Sequence, residues 1–503
     1  MDSSLLANLQ LGFGVALAGT NILYCLIGVM LGTLIGVLPG IGPVATIAML
    51  LPATFVLPPV SALIMLAGIY YGASYGGSTT AILVNLPGEV SSVVTCLDGY
   101  QMARQGHAGK ALAIAAIGSF FAGTVATILV AAFAPPLAEL ALKFGPSDYF
   151  SLMVLGLIAA VVLAHGSLIK AVAMIVLGLL VGLIGTDVNS GIARYNFGLP
   201  ELIDGVGIGP IAMGVFGFGE IIRNLEHGQK RDVFVKRVTG LMPTWTDLKM
   251  SFWPIVRGTT LGSMLGILPG GGPILGSFSA YTLEKKLAKD PSRFGKGAIE
   301  GVAAPESANN AAAQTSFVPL LTLGIPSNPV MALMIGAMII HGIQPGPQIM
   351  TANPELFWGM IASMWVGNLL LVVLNLPMIG MWVKLLTLEY RFLYPAILLF
   401  CCIGVYSINN AWMDVLLAAG FGLIGYVFGK LDCEAAPLLL GFVLGPMMEE
   451  NLRRALLLSR GDPAVFVTRP ISATLLVIAA LLLVIVLTPS VRKKREETFV
   501  EDV

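Results

Sequence analysis

Charge is what this sequence has least of. Only 11% of its 503 residues are charged and 56% are hydrophobic, where a soluble domain averages about 25% charged. That little polar surface cannot cover the roughly three or four soluble domains its length would suggest. Lys and Arg are missing altogether before Arg104. Met1 to Gln10 therefore has no basic n-region, no cleaved signal peptide is expected, and the first apolar segment should remain as a membrane or interfacial helix. The basic clusters elsewhere are short and no basic domain exists, which excludes a nucleic-acid footprint. The four histidines (His107, His165, His227, His341) are scattered without metal-ligand spacing. The five cysteines (Cys25, Cys96, Cys401, Cys402, Cys433) lie mostly in apolar segments and read as small buried hydrophobes.

Nucleotide and enzyme signatures are short as well. Gly109-Lys110 is no phosphate loop, because Arg104 stands where its first Gly belongs and Ala111 replaces Ser or Thr. Gly205–Pro210 has Pro where a dinucleotide loop needs Gly. Gly72-Ala-Ser-Tyr-Gly76 matches the nucleophile elbow formally. That elbow needs a strand-to-helix turn, and this segment reads as Gly-rich membrane helix instead. Neither an enzyme nor a bound cofactor or metal is expected. Alternating apolar and polar strands are absent, which argues against a β-barrel.

What the chain has is long apolar runs. Ile471–Thr488 is apolar except for one Ser and two Thr, residues 112–142 carry no charge before Glu139, and residues 151–169 carry none. Each can cross a ~30 Å hydrocarbon core, which takes about 20 helical residues. The expected fold is an all-α polytopic membrane protein of about 10–14 transmembrane helices plus re-entrant pieces. Candidate segments include 11–38, 60–84, 111–137, 313–342 and 435–447.

A polar loop, 223–249, divides an N-terminal membrane repeat, 1–222, from a C-terminal one with its tail, 250–503. The loop is rich in Lys and Arg, which places it in the cytoplasm. The tail at 492–495 votes the same way, but Arg453, Arg454, Arg460 and Arg469 precede the last helix and nearly cancel it. A second basic cluster runs from Lys285 to Lys296. Only 26 residues separate Arg257 from Glu284, and two crossings would need about 40. The stretch between them is expected to enter the membrane and return, with Pro-Gly-Gly-Gly-Pro at its tip.

That tip is one copy of a repeat. Residues 36–43 read Gly-Val-Leu-Pro-Gly-Ile-Gly-Pro, and residues 266–273 read Gly-Ile-Leu-Pro-Gly-Gly-Gly-Pro. Pro removes a backbone donor and Gly permits close approach, so the motif breaks a helix. The freed backbone groups cannot face lipid. Matched breaks in two halves point to a transporter's binding site. Below each motif lies a second polar stretch, Tyr75–Glu89 in one half and Pro305–Ser316 with Leu323–Pro329 in the other. Their hydroxyls and amides suit a carboxylate ligand or a partly dehydrated Na⁺. The candidate substrate residues are Pro39, Gly40, Gly42, Ser78, Thr79, Thr80, Asn85, Pro269, Gly270, Gly271, Gly272, Thr315, Ser316, Pro326 and Ser327. Glu306, Asn309 and Asn310 are candidates for cation coupling if they lie at membrane depth. Their alternative is an exposed loop acid and a capping Asn pair.

With Leu97-Asp-Gly-Tyr-Gln-Met-Ala-Arg104, Gly301-Val-Ala-Ala-Pro-Glu-Ser-Ala-Asn-Asn310 and His341-Gly-Ile-Gln-Pro-Gly-Pro347, these motifs resemble the large membrane subunit of the tripartite tricarboxylate transporters, the TctA family, over nearly the whole chain. The resemblance implies a multi-pass protein of a bacterial inner membrane. It implies two partners, a periplasmic solute-binding protein (TctC-like) that captures a carboxylate and a small four-helix membrane subunit (TctB-like). The driving force would be a Na⁺ or H⁺ gradient, without nucleotide hydrolysis. A passive channel, a membrane enzyme and an assembly scaffold remain as alternatives, and the identity of the carboxylate is not legible.

Overall fold

Apolar runs rich in Gly and Ala, with no two-residue period, fold as helices that pack at short range. The computed structural model describes residues 5–38, 42–163, 167–187, 190–227, 238, 240–268, 272–386 and 390–487. Its first half holds α1 (Leu5–Ala16), α2 (Gly19–Val37), α3 (Pro43–Thr54), α4 (Pro59–Val84), α5 (Ala108–Ala141), α6 (Pro146–Leu163) and α7 (Leu168–Gly182). Its second half holds α8 (Trp245–Gly266), α9 (Gly272–Leu287), α10 (Glu300–Thr315), α11 (Phe317–Leu323), α12 (Pro329–Ile340) and α13 (Pro354–Asn375). It ends with α14 (Trp412–Lys430), α15 (Ala435–Leu458) and α16 (Pro470–Leu487). Other helical pieces are named by residue. Among the described residues, the β structure is one antiparallel pairing of β1 (Gly185–Thr186) with β2 (Ala193–Arg194).

Among the described residues, four helices, α2, α5, α13 and α14, are long and apolar enough to cross a bilayer by length and composition, and six other apolar helices are shorter. Breaks shorten several of the expected segments. Segment 11–38 is two helices, because Ala18 takes an extended conformation before α2 (φ −58°, ψ 137°). Segment 313–342 is interrupted at Gly324, whose φ is +69°. Segment 435–447 instead runs on to Leu458.

The two halves share one packing device. In α2, Gly28, Gly32 and Gly36 sit so close to α4 that a Cβ would strike the carbonyl oxygens of Met65, Ile69 and Ala73. In α8, Gly258, Gly262 and Gly266 meet the carbonyl oxygens of Ala304, Ala308 and Ala312 of α10 in the same way. The glycines are offset by 230 residues between the copies and their partners by 239. Contacts rise together along both chains, so α2 runs parallel to α4 and α8 parallel to α10. Such close approach needs small residues on one helix.

Parallel packing fixes the depth of the breaks. Gly36, one residue before the end of α2, is level with Ala73, 14 residues after the start of α4 and 11 before its end. At 1.5 Å per residue the break lies about 21 Å from one end of α4 and about 16 Å from the other. Gly266, level with Ala312, is placed alike against α10 and α11. The second break is the tip of a hairpin, as expected. Arg257 of α8 and Glu284 of α9 pair across its base through two bonds of 2.6 and 2.7 Å. α9 packs mainly against α8 and α10 of its own repeat and touches residues 90–95 of the first, whereas α3 leans on α12 and the helix Tyr390–Asn409 of the second.

The 239-residue offset continues past the ladder. Asn85 caps α4 in the left-handed region (φ 58°) and Gly324 caps α11 there (φ 69°), each two residues before a proline. α5 and α13 then change sides. First-half α5 lies on α10, α8 and α11, while second-half α13 lies on α1, α2 and α4. A Cβ on Gly118 of α5 would meet Ile255 at 3.3 Å, and one on Gly367 of α13 would meet Cys25 at 3.5 Å. Ile255 and Cys25 are themselves equivalent positions of α8 and α2.

The arginines before the last helix are mostly neutralised. Arg453 pairs with Glu449 and Asp187, Arg454 with Glu450, and Arg469 with Asp148. Arg194 grips Glu449 at 2.7 and 3.1 Å, where α15 leaves its apolar part, and this holds the Glu449 carboxyl below its usual range. The competing basic tail at 492–495 lies outside the described residues.

Candidate functional site

The helix α10 forms through a sequence poor in apolar residues, Glu300–Thr315, because small Ala and Gly side chains let it seat against α8, α9 and α5. Its interior carries Glu306, Asn309 and Asn310, which are 1%, 1% and 4% exposed. The exposed-loop and capping alternatives are thereby set aside. A carboxyl that deep is tolerated only if its oxygens find donors. Glu306 finds two across the interface between the repeats: Ser78 of α4 donates to Oε2 and Thr95 to Oε1.

Thr95 belongs to an irregular segment after α4. Residues 90–100 pass through a 3₁₀ turn, one α turn and a π turn at Cys96–Tyr100. π turns often mark functional sites. Asp98 pins this segment to the second half. Its carboxylate accepts backbone N–H bonds from Gly297 and Ala298 at 2.7 Å each and the Tyr281 hydroxyl at 3.0 Å. The two backbone donors lie at the entry to α10, where a helix favours an anion.

Two further contacts cross between the repeats. Asn309 donates to Glu89 at 3.0 Å, and Asn328 donates to Tyr70 at 3.3 Å. Tyr70 corresponds to Asn309 and Glu89 to Asn328 at the 239-residue offset, so exchanging the repeats maps one contact onto the other. The chemistry differs: one pair carries a carboxylate and the other is neutral. Glu89 also accepts from Ser91 at 2.5 Å, and Asn328 also donates to Ser316 at 3.1 Å while capping α12 at Met331.

Beside Glu306 lies a narrow cavity lined by Ser78, Thr79, Tyr75, Ser119 and Asn375, with apolar walls from Leu112, Ala115, Ala116, Leu376 and Ile379. Its free space holds about one water molecule. Asn310 reaches the same cavity through Ser119, to which it donates at 2.7 Å.

The remaining candidates divide into groups. Ser78 and Thr79 line the cavity. Thr80 instead turns to the first break, donating to the carbonyls of Val37 at 2.9 Å and Gly36 at 3.3 Å. Thr315 stands over Gly266 at the second break. Ser316 receives Asn328, Ser327 bonds the Ser316 carbonyl at 3.3 Å, and Pro326 is buried beside them. Gly42 caps the start of α3 with open space around it, and Gly272 opens α9 against Gly266. Asn85 is exposed at its cap, and no bond joins it to the cluster. Pro39, Gly40, Pro269, Gly270 and Gly271 lie outside the described residues.

Sequence reasoning did not single out Glu89, Thr95, Asn328 or Asn375. Glu89 was findable as the acid that follows a break, and Asn375 as a second Asn-Leu-Pro after Asn85-Leu-Pro. Thr95 carries no sequence signal, since only the fold brings it to Glu306. Ser74 of the formal nucleophile elbow sits mid-helix in α4, donating to Tyr70 O at 3.3 Å, with no strand before it.

The comparisons agree with the architecture. Residues 22–440 match the family described as "Tripartite tricarboxylate transporter TctA family". A protein of Agrobacterium vitis described as "Uncharacterized 52.8 kDa protein in TAR-I ttuC' 3'region" is 61% identical over 498 residues, 99% of either chain. Another from that organism, "Uncharacterized protein in TAR-II ttuC' 3'region", is 63% identical over 241 residues, 48% of this chain and 100% of its own length. No solved structure matches. Buried polar groups at two matched helix breaks, and a family match across most of its length, show that this chain is a membrane protein belonging to the tripartite tricarboxylate transporter TctA family.

Proposed function

We propose that the chain is the large transmembrane subunit of a binding-protein-dependent secondary transporter. It imports a tricarboxylate or related carboxylate across a bacterial inner membrane by symport with Na⁺ or H⁺. A periplasmic solute-binding protein delivers the substrate, and a small membrane subunit accompanies this one. The observation that carries the reading is Glu306. It is a carboxyl buried inside α10, and among the described residues its side-chain donors are hydroxyls from the other repeat. A group so placed takes up a cation when one is offered, and a change in its contacts alters how the repeats meet. The cavity beside it is too small for a carboxylate substrate, so binding requires the repeats to move apart. That favours alternating access over a passive channel, which needs a continuous polar lining.

The test is uptake into proteoliposomes holding this subunit, its small partner and the binding protein. Accumulation should follow an imposed Na⁺ or H⁺ gradient. Uptake indifferent to every ion gradient would sink the symport reading, and turnover far above carrier rates would favour the channel. A reproducible chemical change in the substrate would revive an enzyme, and intact transport without this subunit would leave it a scaffold.

A further inference from the structure

One wall of the Glu306 cavity comes from outside the two polar stretches. Asn375 ends α13, and Leu376-Pro377 follows, so the helix cannot run on. The Asn375 amide nitrogen donates to the Leu371 carbonyl at 2.9 Å, which fixes the other end of the amide as the oxygen. That oxygen, Oδ1, has no partner although the residue is only 5% exposed, and the residue lines the cavity with Glu306. A buried carbonyl left unpaired needs an explanation such as an absent ion or water.

The other polar groups of the cavity narrow what that partner is. Ser78 gives its proton to Glu306, Tyr75 to Asn368 Oδ1 at 3.1 Å, and Thr79 to the Tyr75 carbonyl at 3.4 Å. Those three protons are committed, so these groups offer lone pairs to the cavity, and Ser119, which accepts from Asn310, is left with one proton to give. A carboxylate, which needs several donors, would meet mostly acceptors. A divalent ion draws several carboxylates, and Glu306 is the one that lines this space. Room for about one water suits one desolvated ion.

We infer that this cavity is a site for a single desolvated monovalent metal cation, and that Asn375 Oδ1 is one of its ligands beside Glu306. The inference rests on the symport reading and deepens it by naming the coupling ion's class and a ligand from a third helix break. Because Asn375 sits where α13 gives way to Leu376-Pro377, filling the site also fixes the end of α13 against α4 and α10.

The test uses the complete three-component transporter in proteoliposomes. Initial uptake is measured against external Na⁺, Li⁺ and K⁺ at several fixed pH values, for wild type, Asn375→Ala and Asn375→Asp. Asn375→Ala should raise the half-saturating Na⁺ concentration by about tenfold, the loss of one ligand to a charge. Its KM for substrate at saturating Na⁺ should stay within about twofold, which a merely misfolded site would not do. Asn375→Asp keeps an oxygen there and should recover Na⁺ binding. Direct ²²Na⁺ binding to the purified complex gives the same comparison should Asn375→Ala transport poorly. Unchanged Na⁺ dependence in Asn375→Ala, or an equal shift in substrate KM, would overturn the assignment of Asn375. Wild-type uptake that follows pH and ignores all three metal ions would overturn the metal site and leave symport standing. Indifference to every gradient would remove the symport reading itself.

Discussion

The two repeats use one backbone plan for different contents. α2 on α4 and α8 on α10 share three glycines at the same spacing and a break at the same depth. Yet where α10 carries Glu306, Asn309 and Asn310, the matching positions of α4 are Ala67, Tyr70 and Tyr71. Further along, α4 carries Tyr75, Ser78 and Thr79, where the second repeat has Gln314, Phe317 and Val318. Each repeat thus lacks what the other supplies. The acid of one is held by a hydroxyl of the other, so the polar cluster exists only while the repeats are docked. The shared backbone supplies the scaffold, and the differing side chains divide the polar cluster between its halves.

That comparison can be broken in order of effect. Glu306→Gln keeps the shape and removes the charge, and uptake should fall at least about a hundredfold with insertion unchanged, read in proteoliposomes. Gly32→Val and Gly262→Val should each disrupt a ladder, costing about 1–3 kcal/mol or more from overpacking. If the ladders are equivalent, thermal melting in detergent will fall by similar amounts, and a silent Gly262→Val would end the equivalence. The crossing contacts should not respond alike. Asn309→Asp sets a carboxylate against Glu89 and should lower uptake about tenfold. Asn328→Asp keeps its helix cap, loses its donation to Tyr70 and should cost about threefold. Equal losses would mean that the two contacts do the same work. Least of all, Ala67→Ser, at the position matching Glu306, should change uptake by less than about twofold. A large loss there would mean that this position matters to transport in both repeats.

How much of this was legible follows from how it is encoded. The two Gly-x-Leu-Pro-Gly motifs are contiguous and chemically restrictive, so their 230-residue offset stands out in the sequence. The hairpin was legible because Arg257 and Glu284 lie too near for two crossings. The second offset, 239, was hidden. It needs three-dimensional pairing, since α9 is four residues longer than α3 and the loop after it carries the second basic cluster. Asn85-Leu-Pro and Gly324-Ile-Pro look alike only once both caps are seen at positive φ. Thr95 was out of reach for the same reason, being an ordinary threonine until the fold sets it beside a buried acid. Asn375 repeats the Asn-Leu-Pro of Asn85, but its place at the acid shows only in the fold.

The exchange of α5 and α13 also bears on how the protein is made. When the first half leaves the ribosome, α5 has its Gly118 face ready for a helix pair that does not yet exist. α1, α2 and α4 likewise wait for α13. Neither half can complete its packing before the other is inserted, so assembly is committed late and all at once. A chain severed between His227 and Trp245 should therefore gain activity only when both pieces are synthesised together in the same membrane.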